Sequence, residues 1–353
     1  SSKQAGALQV SRRTTCRYIR NGRDHICSTL SLVWSIDRGW RRANTQGTTI
    51  GASTVKPIVI LGPTASGKSD AAMAAAQVNG NTQIVVCDAM QVYKRMDIGT
   101  AKPTTEDQQL VQHHCIDLVA PSARFTVSDY QKDARAAVAK IHEEGANALV
   151  VAGTGLYLTS LIDELSFPGE WPAVRAELQR EPDVAALYRH LKALDPVAAK
   201  NIERSNRRRI ERALEVCIGS GKPFSDNAPG TGAYPDNGVV QIGLLWPRDV
   251  LVKRVESRVK AMLQRGFLEE VAQLRKDGAM SQTARQALGY AELNRHLDGR
   301  CTLDQAIGDI VIHTRQFAVR QERWFRRDPR IRWVHIEKDP VTEIAPILAE
   351  HLR

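Results

Sequence analysis

The sequence predicts an α/β fold, a parallel sheet flanked by helices, with a smaller helical insertion between two of its strands. Three observations lead there. The apolar runs PIVIL (57–61), QIVVC (83–87) and ALVVA (148–152) alternate with helical stretches, and they have the length of buried strands. Each run ends in Gly62, Asp88 or Gly153-Thr154-Gly155, the residue types that place ligands at the carboxyl edge of a parallel sheet. From Pro168 to about Asn237 the alternation lapses into short charged helices and loops, and a further apolar run, VVQIGLLW (239–246), then resumes it.

Residues 1–55 fit none of these patterns. They are polar, Arg-rich and poor in acids, with neither a helical nor a strand period. Such a segment suits a targeting presequence, a nucleic-acid-binding arm or a plain disordered leader, and the leader is the expectation because Arg content alone specifies little. Its charge matters to the rest of the chain. Residues 1–56 hold ten of the 49 Lys and Arg and two of the 39 Asp and Glu, which leaves 39 basic and 37 acidic residues beyond them. The net charge of +10 therefore sits mostly in the leader, and any polyanion site elsewhere must be a local patch.

From Lys56 the order is strand, glycine turn and helix: PIVIL, GPTASGKS, then an Ala-rich run through Gln77. QIVVC is the second strand, VSDYQKDARAAVAKIHEEG (127–145) a helix and ALVVA the third strand. In the insertion, EWPAVRAELQREPDVAALYRHL and SNRRRIERALEV read as short helices, and long helices dominate after Asp249. Along Asp304–Arg327 a 3.6-residue period gathers Ile310, Phe317 and Trp324 on an apolar seam. It gathers His313, Gln316, Arg320, Arg323 and Arg327 on a polar, basic stripe.

The expected division is 1–55 as a disordered N-terminal extension, 56–168 with 238–353 as the core, and 169–237 as the helical insertion. No apolar run approaches the roughly 20 residues that span a bilayer, so no membrane segment is expected. The six cysteines (Cys16, Cys27, Cys87, Cys115, Cys217, Cys301) are scattered without metal-ligand spacing. No zinc site is expected, and a reducing cytoplasm is.

GPTASGKS (62–69) satisfies G-x-x-x-x-G-K-[ST] in full, after a strand and before a helix, so the core is expected to be P-loop NTPase-like. Glycines let the backbone close around phosphate oxygens, and the helix N-terminus offers unpaired N–H groups and a partial positive charge. Lys68 suits terminal phosphate oxygens, and Ser69 suits Mg²⁺ or phosphate. Most such loops serve ATP or GTP, so nucleotide binding by a kinase or NTPase stays open on this motif alone. Asp88, at a strand end, is a metal-holding acid in an NTPase, a general base in a transferase, or the cap of a following helix. Thr154 is a turn hydroxyl or a donor facing phosphate.

DAMQVYKRMDIGTAKP (88–103) joins GPTASGKS, VAGTGLYL, RRIERALEV, ARQALGY and TRQFAVRQERWF in one order between Lys56 and Phe325. Together they resemble the tRNA dimethylallyltransferases, also called tRNA isopentenyltransferases, over nearly all of the chain outside the leader. The resemblance implies transfer of a dimethylallyl group from dimethylallyl diphosphate to the N6 amine of the adenine 3′-adjacent to the anticodon. The tRNAs concerned read codons beginning with U. Gly62, Thr64, Ala65, Ser66, Gly67, Lys68 and Ser69 would hold the donor's diphosphate with Mg²⁺, Ser69 contacting the metal.

On the same resemblance Asp88 takes a proton from the amine or orients it, Thr154 and Lys68 act on the departing diphosphate, and Arg175 matches an Arg at the substrate site. Asp88, Ala89, Met90 and Gln91 match a contact strip for the flipped-out base, with Gln91 on the adenine edge. Arg208, Arg209, Ile210, Glu211 and Arg212 match a second tRNA-contacting stretch. Arg285, Gln286, Ala287, Leu288, Gly289 and Tyr290 match a third, and the basic stripe of 304–327 is a weaker candidate. Taken alone, Arg175 and the Arg runs read as solvated helix faces.

Three positions depart from the family pattern: Ala89 where Ser is common, Val-Ala-Gly-Thr for Val-Gly-Gly-Thr, and Gly-Tyr-Ala-Glu for Gly-Tyr-Arg-Glu. None removes a group that the chemistry requires. The chain ends without the zinc finger of many eukaryotic members, which points to the bacterial type. The expected partners are the anticodon stem-loop and dimethylallyl diphosphate, acting on a monomer. An adenylate isopentenyltransferase is disfavoured by RRRIER and DIGTAKP, and an NTP-dependent kinase by the lack of a recognisable nucleotide lid. A non-catalytic RNA-binding module is disfavoured by the complete phosphate loop.

Overall fold

In the computed structural model, residues 56–163, 165–227, 232–278 and 280–352 are described; the expected leader, 1–55, lies outside the described residues. β1 (Ile58–Leu61) runs through the phosphate loop into α1 (Lys68–Asn79). β2 (Thr82–Cys87), α2 (Thr105–Leu110), β3 (His113–His114), α3 (Val127–Glu143), β4 (Asn147–Ala152) and α4 (Gly155–Ile162) follow. Next come α5 (Pro172–Arg180), α6 (Val184–Leu194), α7 (Pro196–Asn201) and α8 (Arg207–Ser220). The chain continues through β5 (Val240–Leu245), α9 (Arg248–Gln264), α10 (Phe267–Lys276), α11 (Gln282–Arg285) and α12 (Tyr290–Leu297). It closes with α13 (Leu303–Phe325), β6 (Arg332–His335) and α14 (Pro340–Ala349).

The six strands among the described residues lie parallel in the order β3-β2-β4-β1-β5-β6. A parallel sheet has to be covered on both faces, and alternate residues of β1 show how. Ile58 and Ile60 join Ala71, Ala72, Ala75 and Ile344 on one side. Val59 and Leu61 join Tyr130, Ala134 and Phe325 on the other. Both layers draw on helices with strong local starts: Thr126 and Thr302 form capping boxes with Asp129 and Gln305 at the heads of α3 and α13.

Leu61 pairs with Ala152, and Ala152 with Cys87. The loops after β1, β4 and β2 therefore leave the sheet side by side. β1, β2, β4 and β5 are the four apolar runs of the sequence. β3 and β6 were not legible there, because β3 has two residues and β6, on the sheet edge, exposes Arg332 and His335.

Between β4 and β5, α5 to α8 pack around an apolar cluster of their own, with Leu178, Leu187, Leu191, Ile210 and Leu214 at its centre. No helix among the described residues is long and apolar enough to cross a membrane.

Ile60 is fully buried in the middle of the sheet. Ile60→Ala should cost about 2–5 kcal/mol, seen as a lower urea midpoint at an unchanged slope.

Candidate active site

The three neighbouring loops open onto a cavity of about 1460 Å³, which α9 and one face of α13 also line. In the phosphate loop Gly67 adopts a φ of 87°, and a Cβ there would stand 2.3 Å from Pro340 Cγ, so both backbone and space require glycine. The loop is fastened from behind. Trp246 Nε1 donates to the Ser66 carbonyl at 2.9 Å, and Arg254 Nε to the Ala65 carbonyl at 2.8 Å. Gln321 Oε1 accepts the Thr64 N–H at 2.8 Å. With these groups tied down, the first N–H groups of α1, which lack helical partners, remain for an anion.

Lys68 lines the cavity and donates to the Pro63 carbonyl at 3.3 Å. Burial, then the positive charge of Arg258, pushes its ammonium down to about 8, against the pull of Asp88 and Asp70. Burial likewise pushes the Arg258 guanidinium down, with Asp88 and Asp70 opposing. An anion arriving beside these two buried cations would favour their charged forms.

Asp88 Oδ1 accepts from the Met90 N–H at 2.8 Å and the Gln91 N–H at 3.3 Å. No helix follows directly, so the helix cap expected of a strand-end Asp is not formed; Asp88 fastens a turn instead, with one oxygen only. The other oxygen faces a glycine. A Cβ built on Gly153 would lie 3.4 Å from Asp88 Oδ2, 3.5 Å from Gln321 Nε2 and 3.6 Å from Lys68 Cε. Beside it, Thr154 Oγ1 accepts the Ala89 N–H at 3.1 Å, which leaves the hydroxyl hydrogen to donate.

Gln91 is oriented by its surroundings. Its Nε2 donates to the Thr100 and Ala101 carbonyls at 3.0 and 3.2 Å, so Oε1 is the atom it can offer to the cavity. The DIGTAKP turn that supplies those carbonyls is held by Glu270, which accepts the N–H groups of Asp97, Ile98 and Gly99 and the Tyr290 hydroxyl. Lys102, almost fully buried, bridges Asp97 and Asp117 at 2.6 Å each.

The sequence model of the IPP transferase family matches residues 91–328. The chain belongs to that family. A tRNA dimethylallyltransferase of Thermobifida fusca is 43% identical over 304 residues, covering 83% of this chain and 94% of the relative. One from Carboxydothermus hydrogenoformans is 42% identical over 296 residues, covering 82% and 94%. Among solved structures, a full-length tRNA isopentenylpyrophosphate transferase from Bacillus halodurans is 36% identical at a TM-score of 0.61, covering 84% of this chain and 96% of that one. The chain is thus an enzyme of the bacterial-type tRNA dimethylallyltransferases.

Within this IPP transferase, the fold brings Thr64, Ala65, Gly67, Lys68, Ser69, Asp88, Ala89, Met90, Gln91 and Thr154 to one cavity. Gln286, Ala287, Leu288 and Tyr290 line it as well. Gly62 and Ser66 are buried behind the loop, and Ser66 Oγ has no partner among the described residues. Arg285 is exposed, and Gly289 is buried.

The second stretch divides. Arg208 and Arg209 are exposed on α8, and Glu211 pairs with Arg207 at 2.6 Å. Arg212 donates to the Pro168 and Gly169 carbonyls. Ile210 is fully buried in the α5–α8 cluster, which corrects the expectation that it touches RNA: its side chain has no surface to offer. Arg175, expected at the substrate site, lies outside the cavity lining and forks onto Glu215 at 2.9 and 3.0 Å. Burial pushes the Glu215 carboxyl up, but the Arg175 fork, the Trp171 N–H and Arg212 outweigh it and hold it below the usual carboxylate range.

Sequence reasoning missed Trp246, Arg254, Arg258 and Gln321, which reach the phosphate loop or its lysine from β5's end, α9 and α13. The apolar seam of Ile310, Phe317 and Trp324 does exist, and it lines the cavity. Trp324 lies so close to Gly155 that a Cβ there would be 2.0 Å from its Cδ1.

The cavity's donors also suit Mg²⁺. No three His, Cys, Asp or Glu side chains among the described residues gather to hold a metal. Mg²⁺ needs no such cage when phosphate oxygens and waters complete its shell, and the Ser69 hydroxyl stands at the head of α1 in the cavity lining.

The lowered Lys68 predicts a pH effect. Diphosphate binding favours the ammonium, so affinity for dimethylallyl diphosphate should fall as pH rises through about 8. Calorimetry should show that slope, accompanied by proton uptake. Lys68→Met should bind more weakly and lose the slope.

Proposed function

We propose that the chain transfers a dimethylallyl group from dimethylallyl diphosphate to the N6 amine of the adenine 3′-adjacent to the anticodon. The tRNAs would be those reading codons that begin with U, and diphosphate would be released. The observation that carries this reading is the meeting at Gly153 of Lys68 from the phosphate loop and Asp88 Oδ2 from the base-contact strip. A cation for the leaving group and an acceptor for the nucleophile's proton then lie on either side of one reacting carbon.

The phosphate loop, Lys68 and Arg258 hold the diphosphate, and the Thr154 hydroxyl donates to it. As the C1–O bond breaks, its electron pair leaves with the diphosphate and positive charge develops on the allylic carbon. These fixed donors act on the charge that grows on the leaving group. The adenine amine is a weak nucleophile because its lone pair conjugates with the ring. Asp88 Oδ2 accepts one N6 hydrogen, improving attack, and takes the proton as the C–N bond forms. Ser69 would hold a Mg²⁺ carried by the diphosphate, which supplies further charge neutralisation when bound.

The acceptor must leave the anticodon-loop stack to reach Asp88. We assign the strip Asp88–Gln91 and the Gln286–Tyr290 turn to that base and its neighbours. The exposed Arg208, Arg209 and Arg285 are assigned to the RNA backbone. Residues 169–237 then act as a helical insertion in a P-loop NTPase-like core, supported by their separate apolar cluster. One chain completes the cavity, which supports a monomer, and the unpaired Cys87, Cys115, Cys217 and Cys301 support a reducing cytoplasm.

Labelled dimethylallyl transfer to an anticodon stem-loop, compared with AMP, tests the reading. Transfer to the stem-loop is expected, and transfer to AMP alone would overturn it. Asp88→Ala should lower kcat about 10²- to 10⁴-fold while stem-loop binding persists. Unchanged turnover would remove Asp88 as the base.

A further inference from the structure

Gln321 is a polar residue on the apolar face of α13, four residues after Phe317 and three before Trp324, and it is 6% exposed. A buried carboxamide needs partners, and this one has two on different loops. Its Oε1 accepts the Thr64 N–H at 2.8 Å, and its Nε2 donates to the Gly153 carbonyl at 2.7 Å. Both partners are backbone groups, one able only to donate and the other only to accept, so the orientation of the amide is fixed. One Nε2 hydrogen remains, with no partner among the described residues, on a side chain that lines the cavity.

That hydrogen lies where Asp88 Oδ2 and Lys68 Cε also converge, around Gly153. A donor there is of no use to an attacking amine, whose hydrogens need acceptors. It is of use to an oxyanion. The geometry points to Gln321 as a diphosphate-binding residue: its remaining amide hydrogen donates to a diphosphate oxygen of the prenyl donor, while its other two bonds hold the phosphate loop in register with the Gly153 turn. The inference rests on the prenyl-donor reading above for the identity of the ligand, and on the phosphate loop alone for its chemistry. It makes α13, at the far end of the sequence, part of the donor site.

Two variants of the full chain test it. Q321E is isosteric, keeps the acceptor for Thr64, loses both Nε2 donors and sets a carboxylate beside the diphosphate. Q321M has similar length and makes no hydrogen bond. Inorganic pyrophosphate binding in the presence of Mg²⁺ is measured by calorimetry, alongside kcat and KM for dimethylallyl diphosphate, stem-loop affinity and the thermal midpoint. Both variants should lose pyrophosphate affinity and kcat by about ten- to a hundredfold, as for a hydrogen bond to a charged group. Q321E should lose more, and stem-loop affinity should not move.

Wild-type pyrophosphate affinity in both variants would overturn the proposal, as would an equal loss of stem-loop affinity. Q321E keeps the test decisive where Q321M fails to fold. A wild-type chain that does not prenylate the stem-loop would sink the proposed function, and pyrophosphate binding would still judge Gln321.

Discussion

Because β1 pairs with β4 and β4 with β2, the loops carrying Lys68, Thr154 and Asp88 leave the sheet within two strand spacings, roughly 10 Å. That is about the span of a diphosphate joined to a five-carbon tail and a reacting amine. The rest of the site follows from the spacing. Parallel pairing puts the carboxyl ends of all three strands on one edge, and the crossovers that it demands supply α1, whose N-terminus faces that edge. An antiparallel neighbour at β4 would have turned Thr154 to the opposite end. The sheet is therefore part of the reaction geometry, and its burial on both faces is what keeps the loops from drifting.

Electrostatics then separates the two ends of the reaction. Burial and the charge of Arg258 disfavour the Lys68 ammonium against the opposing pull of Asp88 and Asp70, and Asp88 commits one oxygen to its own turn. Burial makes the charges of Lys68 and Arg258 costly. On the proposed reading a bound diphosphate would satisfy both cations at once. Asp88 Oδ2 would then be left as the acceptor for an amine hydrogen, and having one oxygen to offer would give that contact a direction. Strain of this kind, held in charge and relieved by a ligand, would make the binding step sensitive to protonation.

Much of this was legible in the sequence because it is local. A strand, a glycine turn and a helix announce a phosphate loop, and a strand-end Asp announces a polar group at the sheet edge. What was not legible acts across distance. Gln321 reaches Thr64 over 257 positions and Arg254 reaches Ala65 over 189, and nothing in the sequence of their own helices names those partners. The same limit works in reverse for α8. RRRIER reads as a basic contact surface, yet Arg207 and Arg212 bind carbonyls and acids of their own segment, and Ile210 is core. Helical phase assigns a face, but only tertiary packing says whether that face meets solvent, RNA or a neighbouring turn.

The DIGTAKP segment shows how a family motif can serve a site through the groups that hold its turn in place. Lys102 is sealed in the core between two aspartates, and three consecutive N–H groups of the turn are taken by Glu270. The product of that scaffolding is a pair of carbonyls that bind both hydrogens of the Gln91 amide. Gln91 is thereby fixed as an acceptor, and Asp88 Oδ2 is an acceptor three residues earlier. An edge met by two acceptors favours a group with two hydrogens to donate, which an exocyclic amine has and a purine carbonyl lacks. Selection for adenine would then be written less in the residues that face the base than in the buried groups that decide which of their atoms do.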